Sequence, residues 1–208
     1  MTHPRLGNLM AITIAVLAVW AIATRVQIDL ADNNDSYLAS AWALMRYFTV
    51  LTNALVAVVL VLHVFATPQS ASRLAGTTLA ISIVGVVFHL LLADLVELDG
   101  IEVWVDLAFH TLVPLLTFVW WAVFAPKSPM TPLTPLTWLI WPAAYAVYAV
   151  GRGIIDGEYP YFFVNLDELG WIGLAVSLAQ FLIAFAIAGY LLWALAKLLA
   201  RIQSAKPG

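Results

Sequence analysis

The chain reads as an all-α protein, a six-transmembrane-helix bundle with both termini inside (N-in/C-in) and a polar cavity in the outer half. Three observations predict this. First, 63% of the 208 residues are hydrophobic and only 10% are charged, with a mean hydropathy of +0.96, whereas a soluble domain carries about 25% charged residues. Second, six apolar runs fall at about 6–24, 41–65, 74–93, 103–124, 136–151 and 169–196. A helix needs about 20 apolar residues to cross the hydrocarbon core, and barrel strands would be shorter and alternating. Third, the linkers alternate in sign. Arg5, Arg73, Lys127, Lys197, Arg201 and Lys206 mark the N-terminal tail, the second and fourth linkers and the C-terminal tail, which hold no acid. All 12 acids lie in or just past the other linkers: Asp29, Asp32 and Asp35; Asp94, Glu97, Asp99, Glu102 and, at the start of the fourth run, Asp106; Asp156, Glu158, Asp167 and Glu168. Excess Lys and Arg marks the cytoplasmic side.

Each element follows from local pattern. The first run is too long, and too lacking in a small-residue cleavage site, for a removable signal peptide. The second carries Arg46, Thr49 and Asn53 at helical spacing, which predicts one shared face. The fourth linker repeats proline at 126, 129, 132 and 135, a spacing that suits a short polyproline II strap. The fourth run contains Asp106, His110 and Pro114. The segment 152–163 mixes aromatic and acidic residues, which predicts a loop folded back on the outer mouth of the bundle. Trp42, Trp104, Trp120, Trp121, Trp141 and Trp171 near run ends read as interfacial anchors. Six spans occupy residues 1–208 as a single integral membrane domain.

Several functions are excluded or disfavoured. There is no cysteine, so disulfides, thiolate metal sites and cysteine nucleophiles are ruled out. The net charge of −3 averages two opposed faces. The basic rim is ordinary topology facing anionic lipid rather than a nucleic-acid patch. No cofactor is expected, and no spaced signature supports a metal site from His89, His110 and Asp106. The oligomeric state is not legible.

Polar residues inside spans are costly and mark function. Counted from Trp42 and Trp104 at ~1.5 Å per residue, Thr49 and His110 reach the same depth, ~10 Å below the outer surface. They meet if the second and fourth spans pack together. Pro114 lacks an N–H, so the carbonyl of His110 loses its helical partner and must find another; a plain proline kink explains this as well. Alone, Thr49 has the commoner reading of a threonine bonded back to its own helix. Arg46 could snorkel to the interface or hold an anionic head group. His89 approaches the same depth as a packed histidine or a second imidazole in the cavity. His63 reads as interfacial, and His3 lies in the tail.

At these residues the chain resembles a known family. The Arg46–Asn53 segment, the stretch His110-Thr111-Leu112-Val113-Pro114 and the loop Tyr159-Pro160-Tyr161-Phe162 together resemble the androgen-induced protein family, in order and spacing over most of the chain. Its bacterial members have six helices, which implies a bacterial cytoplasmic membrane. Its animal members are intramembrane hydrolases that cleave fatty acid esters of hydroxy fatty acids with a threonine and a histidine. The resemblance implies Thr49 as nucleophile and His110 as base. The loop here reads Tyr-Pro-Tyr-Phe where the animal proteins show Tyr-Pro-Phe.

A histidine within reach is the usual base for a hydroxyl nucleophile. Asp106, one turn from His110, is expected to orient it, and Asn53 or a backbone amide to stabilise the oxyanion. Arg46, Arg152, Tyr159 and His89 are the candidate substrate-binding residues, and the expected partners are a lipid substrate with long acyl chains and the surrounding membrane lipids. The same bundle also suits a non-enzymatic lipid-binding or sensing protein, or a small transporter.

Overall fold

Long apolar segments with few interior prolines satisfy their own backbone hydrogen bonds as helices, the only open-ended way to do so in lipid. The computed structural model describes residues 4–33, 36–127 and 129–204; His3, Asp35 and Lys206 lie outside them. The described chain is helical. α1 is Pro4–Asn33, α2 is Tyr37–Leu44, α3 is Phe48–Phe65 and α4 is Ala71–Val87, extended by a π turn at Phe88–Leu92. α5 (Gly100–Leu107) runs through a second π turn (Ala108–Leu112) into α6 (Val113–Phe124). The short α7 (Thr134–Thr137), then α8 (Ile140–Asp156) and α9 (Leu166–Ser204), complete the chain. Six segments are long and apolar enough to cross a membrane: Pro4–Asp32, Phe48–Phe65, Ala71–Leu95, Gly100–Phe124, Thr134–Asp156 and Leu166–Ile202. This is the architecture of an integral membrane protein.

Two expectations about the backbone fail. The run 41–65 is not one helix. α2 ends at Leu44, Met45–Arg46 turn, and Tyr47 caps α3 with extended backbone. Arg46 therefore precedes α3 instead of sharing its face with Thr49 and Asn53. The proline strap is also interrupted: residues 132–133 turn, and Pro135 sits in the first turn of α7, where a missing N–H costs nothing. α9 carries a break of its own at Gly170, whose φ of 62° is one that glycine adopts without a Cβ penalty.

Packing divides the bundle by depth. Ala11, Ala15 and Ala18 are buried on one face of α1, and small residues of this kind let helices approach closely in membranes. With Leu60, Leu74 and Ile81 they form the main core, which also takes in Trp120 and Trp121, fully buried between helices instead of anchoring at the interface. Trp120 donates to the carbonyl of Gly7 at 2.8 Å, fixing α6 to the start of α1. A smaller cluster of Ala21, Leu44, Val50, Val105, Ala108 and Phe109 lies nearer the other end. At that end Arg25 of α1 binds Glu102 of α5 at 2.8 Å, and Arg46 binds Glu158 beyond α8 at 2.7 Å. The acid-bearing ends of the helices are thus tied together around one region.

Candidate active site

The break before α3 sets the position of Thr49. As the second residue of α3, it has no α3 carbonyl one turn below it, so its hydroxyl lacks the usual back-bonding partner of a helix threonine. Its Oγ1 instead lies 3.4 Å from Nε2 of His110. The depth count from Trp42 assumed a continuous helix. That premise does not hold, yet the two side chains meet.

His110 is held on three sides. Nδ1 lies 2.8 Å from Asp106 Oδ1, one turn earlier. A carboxylate there accepts a hydrogen bond from Nδ1–H in the tautomer that leaves the Nε2 lone pair facing Thr49. Phe88 stacks on the imidazole at 3.7 Å between centroids and 6° between planes. The third constraint is the backbone. Pro114 removes the N–H that would cap the His110 carbonyl, and the chain responds with the π turn Ala108–Leu112. Such turns recur at functional sites. The freed carbonyl packs against α4 at Gly85, where an added Cβ would fall 2.9 Å from it.

The two π turns face each other. Phe88 and His89 belong to one, His110 and Thr111 to the other, and His89 Nε2 lies 3.0 Å from Thr111 Oγ1. His89 is exposed on the bundle surface and lines neither cavity described below. Of its two readings, His89 therefore takes the one bonded to a neighbouring side chain, and its candidate role in binding substrate within the cavity is corrected: Phe88 continues the buried stripe of Ile81, Val84 and Gly85, which leaves His89 outward.

Thr49 stands where two cavities adjoin. The larger, about 1250 Å³, is lined by Arg46, Tyr47, Asp106, His110, Glu158 and Tyr159 among others. The smaller, about 70 Å³, is walled by apolar side chains including Ile83, Leu178, Phe181 and Phe185. Thr49, Leu92 and Tyr161 line both. The phenol of Tyr161 stands near the start of α3, beside Phe48 and Thr49. Burial raises the pKa of this phenol, so it remains a proton donor at neutral pH. Tyr161 stacks on Phe163 at 4.9 Å and meets Tyr47 edge-on at 6.1 Å. Sequence reasoning named Tyr159 in this loop and not its neighbour two residues on, which lines both cavities with Thr49; Phe88 and Gly85 left no signal beyond their proximity to His89.

The other candidates are deployed differently. Arg46 is buried, paired with Glu158 and Asp156, and donates to the Glu158 carbonyl at 2.8 Å. Arg152 does not reach either cavity. It donates to the Trp42 carbonyl at 2.7 Å, binds Asp156 at 3.2 Å and lies 4.2 Å over the Trp42 ring. Together the two arginines clasp the 157–163 loop onto the α2–α3 break. Tyr159 lines the larger cavity and packs so tightly on Gly153 that a Cβ there would fall 2.2 Å from its ring. Asn53 is fully buried away from both cavities and donates to the Thr49 carbonyl at 2.9 Å. It braces the backbone of Thr49 rather than facing a substrate. Among the described residues, no group of three or more His, Asp or Glu is placed to hold a metal ion. No family model, no curated protein and no solved structure matches the chain.

Proposed function

We propose that the protein is an intramembrane hydrolase of long-chain carboxylic esters, with Thr49 as nucleophile, His110 as base and Asp106 orienting the imidazole. The observation that carries the reading is the Thr49–His110–Asp106 relay, with contacts of 3.4 and 2.8 Å, at the junction of an ionic cavity and an apolar one. Lone polar residues inside a bundle are often structural. A hydroxyl, an imidazole and a carboxylate in series, opening on space for a ligand, match the triad logic of acyl transfer. The Thr49–His110 contact is long for a hydrogen bond, and catalytic contacts of this kind tighten when substrate binds.

The chemistry follows in two halves. His110 Nε2 takes the Thr49 proton as Oγ1 attacks the ester carbonyl, and the imidazolium returns that proton to the departing alcohol. Water then enters from the larger cavity, gives a proton to His110, and attacks the acyl-threonine ester; His110 returns the proton to Oγ1 as the acid leaves. Negative charge developing on the carbonyl oxygen needs fixed donors. The first-turn N–H groups of α3 have no intrahelical partner and sit at the positive end of the helix dipole. Tyr161, which lines both cavities beside Thr49, offers its O–H as a further donor to the oxyanion. The apolar cavity suits the start of an acyl chain, which continues between the loosely covered helices towards lipid.

The same reading sets both termini on the cytoplasmic side and the site in the outer half, with the acidic helix ends facing outward. An accessibility tag near Asp99 that reports a cytoplasmic location would reverse this topology. For the chemistry, purified protein in neutral detergent is tested on a p-nitrophenyl ester of a long fatty acid. Wild type and Thr49→Ser turn over, the latter more slowly, while Thr49→Val retains the fold and loses activity. Equal hydrolysis by Thr49→Val would show that the nucleophile lies elsewhere. Lipid retention without any turnover would leave a binding protein.

A further inference from the structure

We infer that the site takes esters whose distal end is uncharged and turns away those ending in a free carboxylate. This rests on the hydrolase reading above and sharpens its substrate class. The larger cavity is lined by five carboxylates, Asp29, Glu97, Glu102, Asp106 and Glu158, against two guanidiniums, Arg25 and Arg46. Both guanidiniums are already engaged, Arg25 with Glu102 at 2.8 Å and Arg46 with Glu158 at 2.7 Å. Arg46 is also buried and held by a backbone carbonyl, so it cannot turn to a ligand without breaking the clasp on the aromatic loop. The apolar cavity is lined by no charged residue.

A carboxylate therefore finds no available cation in either chamber. In the apolar one it would be a buried, unpaired charge; in the larger one it would face like charges with the dielectric lowered by the surrounding helices. An uncharged end meets neither of these penalties, and the fatty acid released by hydrolysis is driven outward by the same field. The inference departs from the anionic head group that Arg46 was a candidate to hold, because the cations such a group would need are already engaged by Glu102 and Glu158.

The test uses the full chain in neutral detergent and two p-nitrophenyl esters of one long diacid, alike in length. One has a free ω-carboxylate and the other an ω-methyl ester; release of p-nitrophenolate is followed for both. Like-charge juxtaposition predicts kcat/KM lower by about tenfold or more for the carboxylate, with the gap closing at high salt as the mouth charges are screened. Glu102→Gln removes one carboxylate and releases Arg25, so it narrows the ratio several-fold while rates on the neutral ester change little. Equal rates on the two esters, a preference for the carboxylate, or a ratio unmoved by both salt and Glu102→Gln would overturn the inference while Thr49-dependent turnover still stood. Neither ester being hydrolysed in a Thr49-dependent way would instead remove the hydrolase reading, and this inference with it.

Discussion

Replacing Gly85 with alanine probes the site without touching any group proposed to react. The added Cβ would lie 2.9 Å from the His110 carbonyl oxygen and 3.2 Å from Pro114 Cβ. Ordinary contact begins near 3.4 Å, so the π turn carrying His110 must retreat from α4 by about 0.5 Å. It cannot be relieved by a rotamer change, because the obstacle is backbone next to a proline. Retreat also loosens the Phe88 stack, since Phe88 continues α4 itself. A misplacement of 1 Å costs a catalytic constellation about a hundredfold, so half of that predicts roughly a tenfold loss in kcat; overpacking a close contact costs about 1–3 kcal/mol of stability. The assay is p-nitrophenyl ester hydrolysis with kcat and KM separated, beside helical content and thermal unfolding in detergent. Gly189→Ala is the control, because its Cβ would make only ordinary contacts at 3.4 and 3.5 Å. A folded Gly85→Ala with wild-type kcat would refute the argument that the freed carbonyl fixes the imidazole.

Three further outcomes are expected. Thr49→Val and His110→Ala act as one unit, so each single loss should nearly equal that of the double variant; independent, multiplicative losses would break the pair. Asp106→Asn should lower kcat by about a hundredfold or more with KM little changed, since the amide no longer fixes the productive tautomer, and unchanged kcat would make Asp106 a surface carboxylate only. Tyr161→Phe keeps the ring packed on Phe163 and Tyr47 and removes one donor, for an expected loss of about a hundredfold in kcat; a loss expressed in KM alone would assign Tyr161 to binding.

The sequence exposed what depends on composition and single side chains. Six apolar runs are legible because lipid admits no unsatisfied backbone, and His110 and Pro114 stand out because polar and imino residues are conspicuous in such runs. What stayed hidden depends on backbone detours. The break at Met45–Tyr47 contains no glycine or proline, so nothing in hydropathy distinguishes it from helix, and Arg46 was placed on a face it does not share. His89 drew attention as an imidazole in an apolar run, yet Phe88 continues the buried stripe of Ile81, Val84 and Gly85 at ordinary helical spacing, which leaves His89 outward. Arg46 looked available for a substrate because its partners, Asp156 and Glu158, are 110 and 112 residues away, at the end of α8 and in the loop beyond it, whereas the Arg152–Asp156 pair lies at helical i,i+4 spacing.

The most direct measurement asks which atom reacts. Incubation with a long-chain fluorophosphonate, followed by digestion and peptide mass spectrometry, should find the adduct on Thr49, with labelling lost in Thr49→Val and severely slowed in His110→Ala. Hydrolysis of the ester substrate accompanied by an adduct on another residue, or by none on Thr49, would contradict the account.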